Sequence, residues 1–254
     1  MIETLPKAFA DHFSAVAADY AAARPDYPDA LFAWIASIAP ARNYAWEAGC
    51  GSGQASRGLA AHFDRVYATD PSAAQITQAS APPNVTFATE PGERCGLPGN
   101  SVDAVCVAQA LHWFDCAAFF GECTRVLQPG GVLASWGYQD IEVPDALIAA
   151  NAALQDDIRD YWPPERTRID NAYGGFDWPF AALDTPAFDL RAQWTLPRLL
   201  GYFSSYSASK RFRETTGRDP VATHAAAFNA AWGDPMTAQT VRWPMFLHAS
   251  RKAA

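Results

Sequence analysis

One stretch of this chain combines glycine spacing with flanking acids in a way that suggests chemistry. Trp46-Glu47-Ala48-Gly49-Cys50-Gly51-Ser52-Gly53 follows a short apolar run, and its alternate glycines permit a tight turn that a ligand can approach closely. The residues after it read as a helix, whose amino terminus would face that ligand. Asp70 lies near the spacing of about 20 residues expected for a carboxylate that binds ribose hydroxyls. A dinucleotide site would need G-x-G-x-x-G/A. Counted from Gly51 and Gly53 the third position is Ser56, and counted from Gly49 it is Gln54, so that fingerprint fails. Glu47, two residues before the first glycine, is not part of it either. An acid there suits a ligand whose cationic amino-acid end takes the place of a pyrophosphate.

These residues need a sheet edge to hold them, and the hydrophobic pattern supplies one. Short strand-like runs at Tyr44–Ala48, Val66–Thr69, Val85–Ala88, Val102–Ala108 and Val132–Trp136 alternate with helical stretches at Gln54–His62 and Ala117–Leu127. Ser72 is placed to cap a helix after the second strand. Val102–Ala108 is almost continuously apolar, as a strand buried on both faces must be. This alternation predicts an α/β fold, a doubly wound Rossmann-like sheet with right-handed crossovers. Both the glycine loop and Asp70 then fall at the carboxyl edge, where such sheets bind ligands. Ahead of the sheet, Phe9–Ala23 and Asp29–Ile38 read as helices. After residue 140 the rhythm changes: Ala146–Asp160 is helical, Tyr161–Phe180 is irregular and aromatic, Phe188–Trp194 and Thr240–Ala249 are strands, and Leu199–Ala231 is helical with a break near Gly217–Pro220.

Composition narrows the classes of function. With 254 residues, half of them apolar and 18% charged, the chain can bury a sizeable core. Nineteen Lys and Arg against 27 Asp and Glu give a formal charge of −8, which disfavours nucleic-acid or anionic-membrane partners bound through bulk charge. The amino terminus has no signal-peptide pattern and no run is long enough for a membrane span, so a cytoplasmic protein is expected. Cys50, Cys95, Cys106, Cys116 and Cys123 lack metal-ligand spacing and read as free thiols. Nine Trp suggest an aromatic-lined cavity in addition to a core.

The loop E-A-G-C-G-S-G, Asp70 in Y-A-T-D-P-S, and R-V-L-Q-P-G-G-V-L before the fifth strand resemble the class I S-adenosylmethionine (SAM)-dependent methyltransferases over roughly residues 40–137. The resemblance implies a seven-stranded sheet, mostly parallel with the last strand antiparallel, N-terminal cover helices and a C-terminal helical cap. It implies SAM as cofactor and S-adenosyl-L-homocysteine as product. One methyltransferase domain would span 1–254: cover helices in 1–40, SAM-binding core in 41–140, cap elements in 141–186 and 195–238, and final strands in 187–194 and 239–250. Carried over residue by residue, Glu47, Gly49, Cys50, Gly51, Gly53, Asp70 and Pro71 form the cofactor loops. Glu93 and Arg94 follow the third strand beside the adenine. Ala108 and Gln109 lie beside the methionine arm, and Tyr20 and Arg24 in the cover helix touch the SAM carboxylate or the acceptor.

F-S-A-V-A-A-D-Y-A-A-A-R-P-D-Y-P, A-Q-A-L-H-W-F-D and G-Y-F-S-S-Y-S-A-S-K-R-F resemble a narrower subgroup that includes trans-aconitate methyltransferase-like enzymes. That implies a small-molecule methyl acceptor. His112, Trp113, Trp136, Tyr138 and Tyr202 are the candidate acceptor-binding residues. His112 is either a general base, its ordinary pKa being about 6.5, or a residue that only shapes the pocket. Lys210 and Arg211 are either a solvated face or an anchor for an acidic substrate. With no convincing base elsewhere, a carboxylate acceptor is favoured, since it is already ionised. The segment Y-W-P-P-E-R-T-R-I-D and residues 173–180 match no pattern, and specificity would be set there. The alternative is a SAM-binding protein without turnover, acting as a sensor or structural partner.

Overall fold

The computed structural model describes residues 25–254; the expected helix Phe9–Ala23 lies outside them. After Pro28, helix α1 (Asp29–Ile38) buries Leu31, Phe32, Ile35 and Ala36 along one stripe. Strands β1 (Tyr44–Ala48), β2 (Arg65–Asp70), β3 (Val85–Thr89), β4 (Val102–Ala108) and β5 (Leu127–Tyr138) pair in parallel in the order β3-β2-β1-β4-β5. Helices α2 (Gln54–Ala60), α3 (Ala73–Gln78) and α4 (Cys116–Val126) lie between them in sequence. Ser72 caps α3, its Oγ accepting from Gln75 N at 3.3 Å.

Alternate residues of the central strands face two apolar layers. Ala45, Ala104, Cys106, Ala134 and Trp136 pack with α1 and α2. Trp46, Val105, Val107 and Leu133 pack with Phe119, Cys123 and Val126 of α4. Cover on both faces is what makes β4 apolar at every position, apart from Asp103 near its start. The buried Asp103 carboxylate accepts from the backbone N–H groups of Asn43 and Tyr44 at 2.8 and 2.9 Å, fixing the entry to β1 at the edge opposite the glycine loop.

Strand β8 (Gln239–Arg251) runs antiparallel to β5 through residues 245–251. Its other edge carries β6 (Ala181–Ala182) and β7 (Asp189–Trp194), both antiparallel to it, so the sheet has seven positions across with the outermost shared by two strands. The amino-terminal half of β8, with β7, forms the floor of a third apolar cluster. Leu190, Trp194, Val241 and Trp243 there meet helices α5 (Ile148–Ile158), α7 (Leu196–Ser204), α8 (Ser207–Thr216) and α9 (Pro220–Trp232).

Two elements differ from expectation. The long helical stretch after Leu199 breaks twice. The break at Gly217 is glycine-capped at φ +70, and Asp219 caps α9 by accepting from Val221 N. The break at Ser205–Tyr206 carries no Gly or Pro; it forms where Tyr206 turns extended and packs against Trp162 and Tyr202. Within the irregular segment a short helix, α6 (Arg166–Asp170), leads into Ala172 and Tyr173, two non-glycine residues at φ +48 and +57.

Candidate active site

Gly49, Gly51 and Gly53 all adopt left-handed backbone, at φ +71, +54 and +84. A side chain at Gly49 would place Cβ 2.7 Å from Ala110 Cβ, and one at Gly53 would lie 2.9 Å from Phe87. A Cβ at Gly51 would meet only Gln75 Oε1 at 3.9 Å. Two glycines thus pack the loop down, and the third leaves open space above it. Gly49 N and Cys50 N both donate to Thr69 O, at 2.8 and 2.9 Å, tying the turn to the end of β2. One residue on, the Asp70 carboxylate accepts from Gly51 N and Ser72 N, both at 2.9 Å. The sequence-predicted glycine loop and acid therefore meet directly, with Pro71 between Asp70 and the cap of α3.

Glu47 is 1% exposed at the penultimate position of β1, and Ser56 of α2 donates to its Oε2. Burial pushes its pKa up to about 8, against the lowering effect of the Ser56 hydroxyl; the Asp70 charge adds to the rise. Glu47 lies beneath the turn and not on its open side. Cys50 is also buried, and its thiol is pushed well above the usual range by that burial.

The loop after β3 is held by α4. Glu122 accepts from Cys95 N at 2.7 Å and pairs with Arg125, which donates to Leu97 O at 2.7 Å. The Arg125 hydrogen bond draws the Glu122 pKa down to about 2. In this loop Glu93 accepts from Asp115 N at 2.8 Å, so part of its carboxylate capacity caps α4, and Arg94 is exposed.

At the carboxyl ends of β4 and β5, Ala108 stands opposite Trp136. Gln109, at φ +51, turns its side chain onto β5: Oε1 accepts from Tyr138 N at 2.8 Å and Nε2 donates to Tyr138 O at 3.1 Å. Above them opens a cleft of about 110 Å³. The core contributes Gln109, His112, Trp113 and Tyr138 to its lining. The segment before and within α6 contributes Trp162, Arg166 and Ile169, and the cap contributes Tyr202, Tyr206, Lys210 and Arg213.

His112, Trp113, Tyr138 and Tyr202 thus share one cleft. Trp136 does not line it. Its ring is fully buried on the α1 face against Tyr27 and Phe32, at 5.8 and 6.0 Å, because its strand position points into the helix layer. Arg211 is likewise not among the lining residues, whereas Arg213 is. Tyr20 and Arg24 lie outside the described residues. Trp162, Arg166 and Arg213 had no periodic signal to mark them; the unmatched Y-W-P-P-E-R-T-R-I-D stretch holds the first two, and Arg213 directly follows G-Y-F-S-S-Y-S-A-S-K-R-F.

Three comparisons with known proteins agree. A family model described as a methyltransferase domain matches residues 46–135. A Dictyostelium discoideum protein, provisionally named a methyltransferase, is 32% identical over 256 residues, 97% of each chain. A solved structure from Anaeromyxobacter dehalogenans, provisionally named a type II methyltransferase, is 43% identical with a TM-score of 0.86, covering 91% of this chain and 99% of that one. The chain belongs to the class I SAM-dependent methyltransferases. A Saccharomyces cerevisiae protein named as a probable S-adenosylmethionine-dependent methyltransferase is 30% identical over 51% of this chain and 49% of its own.

SAM is the cofactor of this methyltransferase class, and the glycine loop fits it: the open space above Gly51 adjoins the Asp70 carboxylate. Among the described residues no cluster of His, Cys, Asp or Glu could hold a metal, and no helix is long and apolar enough to cross a membrane. The five cysteines are all free.

Proposed function

We propose that this methyltransferase acts on a small-molecule acceptor carrying an anionic group, a carboxylate by preference. The observation that carries this reading is the charge of the cleft. Arg166, Lys210 and Arg213 line it against one carboxylate, Asp140, which is paired with Arg166. Arg166 also lies 3.9 Å over the Trp162 ring and 3.4 Å from Asp170. Lys210 has Glu214 at 3.9 Å, whereas Arg213 has Asp219 at 4.0 Å and also donates to Ser204 O at 3.0 Å. Aromatic walls from Trp113, Tyr138, Trp162, Tyr202 and Tyr206 suit a small guest and exclude water, which strengthens each charge contact.

Bound at the loop, SAM supplies a methyl group on a sulfonium, electrophilic enough that an ionised carboxylate needs no base. On this reading Asp70 accepts from ribose hydroxyls while Gly51 and Gly53 admit the nucleoside to the backbone. Glu47 acts on the ammonium end through water or the loop. The Glu93–Arg94 loop flanks the adenine, and Ala108 with Gln109 borders the methionine arm. Tyr20 and Arg24 are assigned to the SAM carboxylate or the acceptor. The protein's remaining task is to hold the acceptor oxygen in line, roughly 3 Å from the methyl carbon.

His112 fits a binding role better than a basic one. It is 4% exposed, and burial together with Arg168 and Arg166 pulls its pKa down to about 3, so it takes up a proton poorly at neutral pH. A screen of carboxylic acids, phenols and amines with labelled SAM tests the proposal. Acids should be methylated. Lys210→Met should raise KM for the best acid about tenfold, in keeping with the loss of one hydrogen bond to a charged group, with kcat within about twofold. Turnover confined to amines would refute the anionic acceptor, and SAM binding without any transfer would favour the sensor.

A further inference from the structure

We infer that His112 carries its single proton on Nε2 and donates it to an anionic oxygen of the acceptor, and that Tyr173 is the positioning residue that dictates this tautomer. The inference rests on the methyl-acceptor reading of the cleft and adds the group that orients the acceptor within it.

His112 Nδ1 lies 3.0 Å from the Tyr173 hydroxyl, and the ring lines the cleft. With its Nδ1 edge turned to Tyr173, the Nε2 edge is the one left for a guest. A neutral imidazole has one donor and one acceptor nitrogen, and the partner of one fixes the role of the other. Two tautomers could satisfy the contact. Burial decides between them: the Tyr173 side chain has no exposure, and among the described residues the one hydrogen-bond acceptor for its hydroxyl is His112 Nδ1. If Nδ1 donated to that oxygen, the phenol proton would be left without an acceptor in a fully buried site. An unmade hydrogen bond there costs about 1–3 kcal/mol. The phenol therefore donates to Nδ1, and Nε2 keeps the hydrogen. Burial and two nearby guanidinium groups keep the ring from taking a second proton.

The way Tyr173 is held supports a purpose beyond filling space. Its side chain has no exposure and sits 4.9 Å from the Phe246 ring and 5.6 Å from that of Phe176. Both Ala172 and Tyr173 adopt left-handed backbone, which costs roughly 1 kcal/mol or more per non-glycine residue. Three contacts hold this conformation in place. Tyr173 N donates to Arg168 O at 2.8 Å, His248 Nε2 approaches Ala172 O at 2.7 Å, and Arg168 Nη1 returns to His112 O at 2.9 Å. Residues 168–173 thus grip His112 at both its backbone and its ring.

The test uses the full chain with ¹⁵N-labelled histidine and long-range ¹H–¹⁵N spectra at pH 7, with His112→Gln identifying the His112 signals by their disappearance. The wild type should show His112 with Nδ1 unprotonated and Nε2 protonated, and Tyr173→Phe should move it to a mixture of tautomers. An Nδ1–H tautomer or an imidazolium in the wild type, or an unchanged signature in Tyr173→Phe, would overturn the inference. These spectra need no acceptor, so they stand even if the screen of acids fails. With an acid substrate in hand, His112→Gln, whose amide nitrogen takes the place of Nε2, should keep KM within about threefold of wild type. His112→Ala should raise it about tenfold, the loss expected for one hydrogen bond to a charged group, while S-adenosylhomocysteine binding is unchanged in both. If Tyr173→Phe does not fold, the Gln and Ala pair still decides, since equal impairment would contradict a donor role.

Discussion

Gly49 and Gly51 share a left-handed backbone but have different surroundings, and substitution separates the two. Gly49→Ala would drive Cβ to 2.7 Å from Ala110, so it should lower stability by about 2 kcal/mol or more, read as a lower midpoint in urea. Gly51→Ala meets open space, so its cost should be near 1 kcal/mol, while S-adenosylhomocysteine affinity falls at least tenfold because the methyl group fills the approach to the backbone. Glu47 makes a pH prediction. Its pKa is raised from an ordinary 4.5 to about 8, so the folded state holds a proton that the unfolded chain releases between those values. Its stabilising contribution is complete below pH 4.5 and is lost as pH rises towards 8. Glu47→Gln should therefore gain on the wild type in thermal melts from pH 5 to 8, by up to about 1.4 kcal/mol per pH unit. His112 opposes it: with its pKa lowered from 6.5 to about 3, stability is lost as pH falls through that range, and His112→Gln should spare that loss. The left-handed glycines and the contact of Asp70 with the turn were legible because few residue types tolerate positive φ or accept from backbone N–H groups at a strand end. The direction in which Trp136 faces was not, because which way a side chain turns depends on the layer packed against it, and neither type nor spacing records that.

At the level of elements, the site depends on the ends of β4 and β5 being clamped together. Gln109 does this through both amide atoms on Tyr138, and Gly137 leaves the room: a Cβ there would lie 2.5 Å from Gln109 Oε1 and from Phe246. Gln109→Leu should cost about 1–3 kcal/mol, since it strands the Tyr138 N–H and C=O, and should raise KM for the acceptor by shifting Tyr138. Urea melts and steady-state kinetics check the two effects. Strand β4, the glycine turn and the Ser72 cap were readable because burial on both faces, positive φ and an unpaired helix end each select their residues. The break at Ser205 was hidden because no Gly or Pro marks it; the Tyr206 ring moves out of helical register to meet Trp162 and Tyr202. The two-residue β6 is likewise too short to leave a period-2 signal.

Across the whole molecule, the glycine turn with Asp70 and the cation-lined cleft are built from different parts of the chain. The loops after β1, β2 and β3 form one wall of the sheet edge, while the cleft at the ends of β4 and β5 takes its cations from a second, made by α6 and the cap helices. The first wall is what the sequence motifs describe. The second is assembled from Arg166 and, more than forty residues later, Lys210 and Arg213 on α8, which meet because β8 is long enough to pair with β5 at one end and carry the cap at the other. Everything proposed for the acceptor presupposes that the first wall grips SAM. Calorimetric titration of the purified wild type and of Asp70→Ala with S-adenosylhomocysteine tests this most directly. Saturable one-site binding to the wild type, weakened at least tenfold in a variant that still melts cooperatively, is the predicted result. No heat of binding in the wild type, or equal affinity in the two proteins, would contradict it.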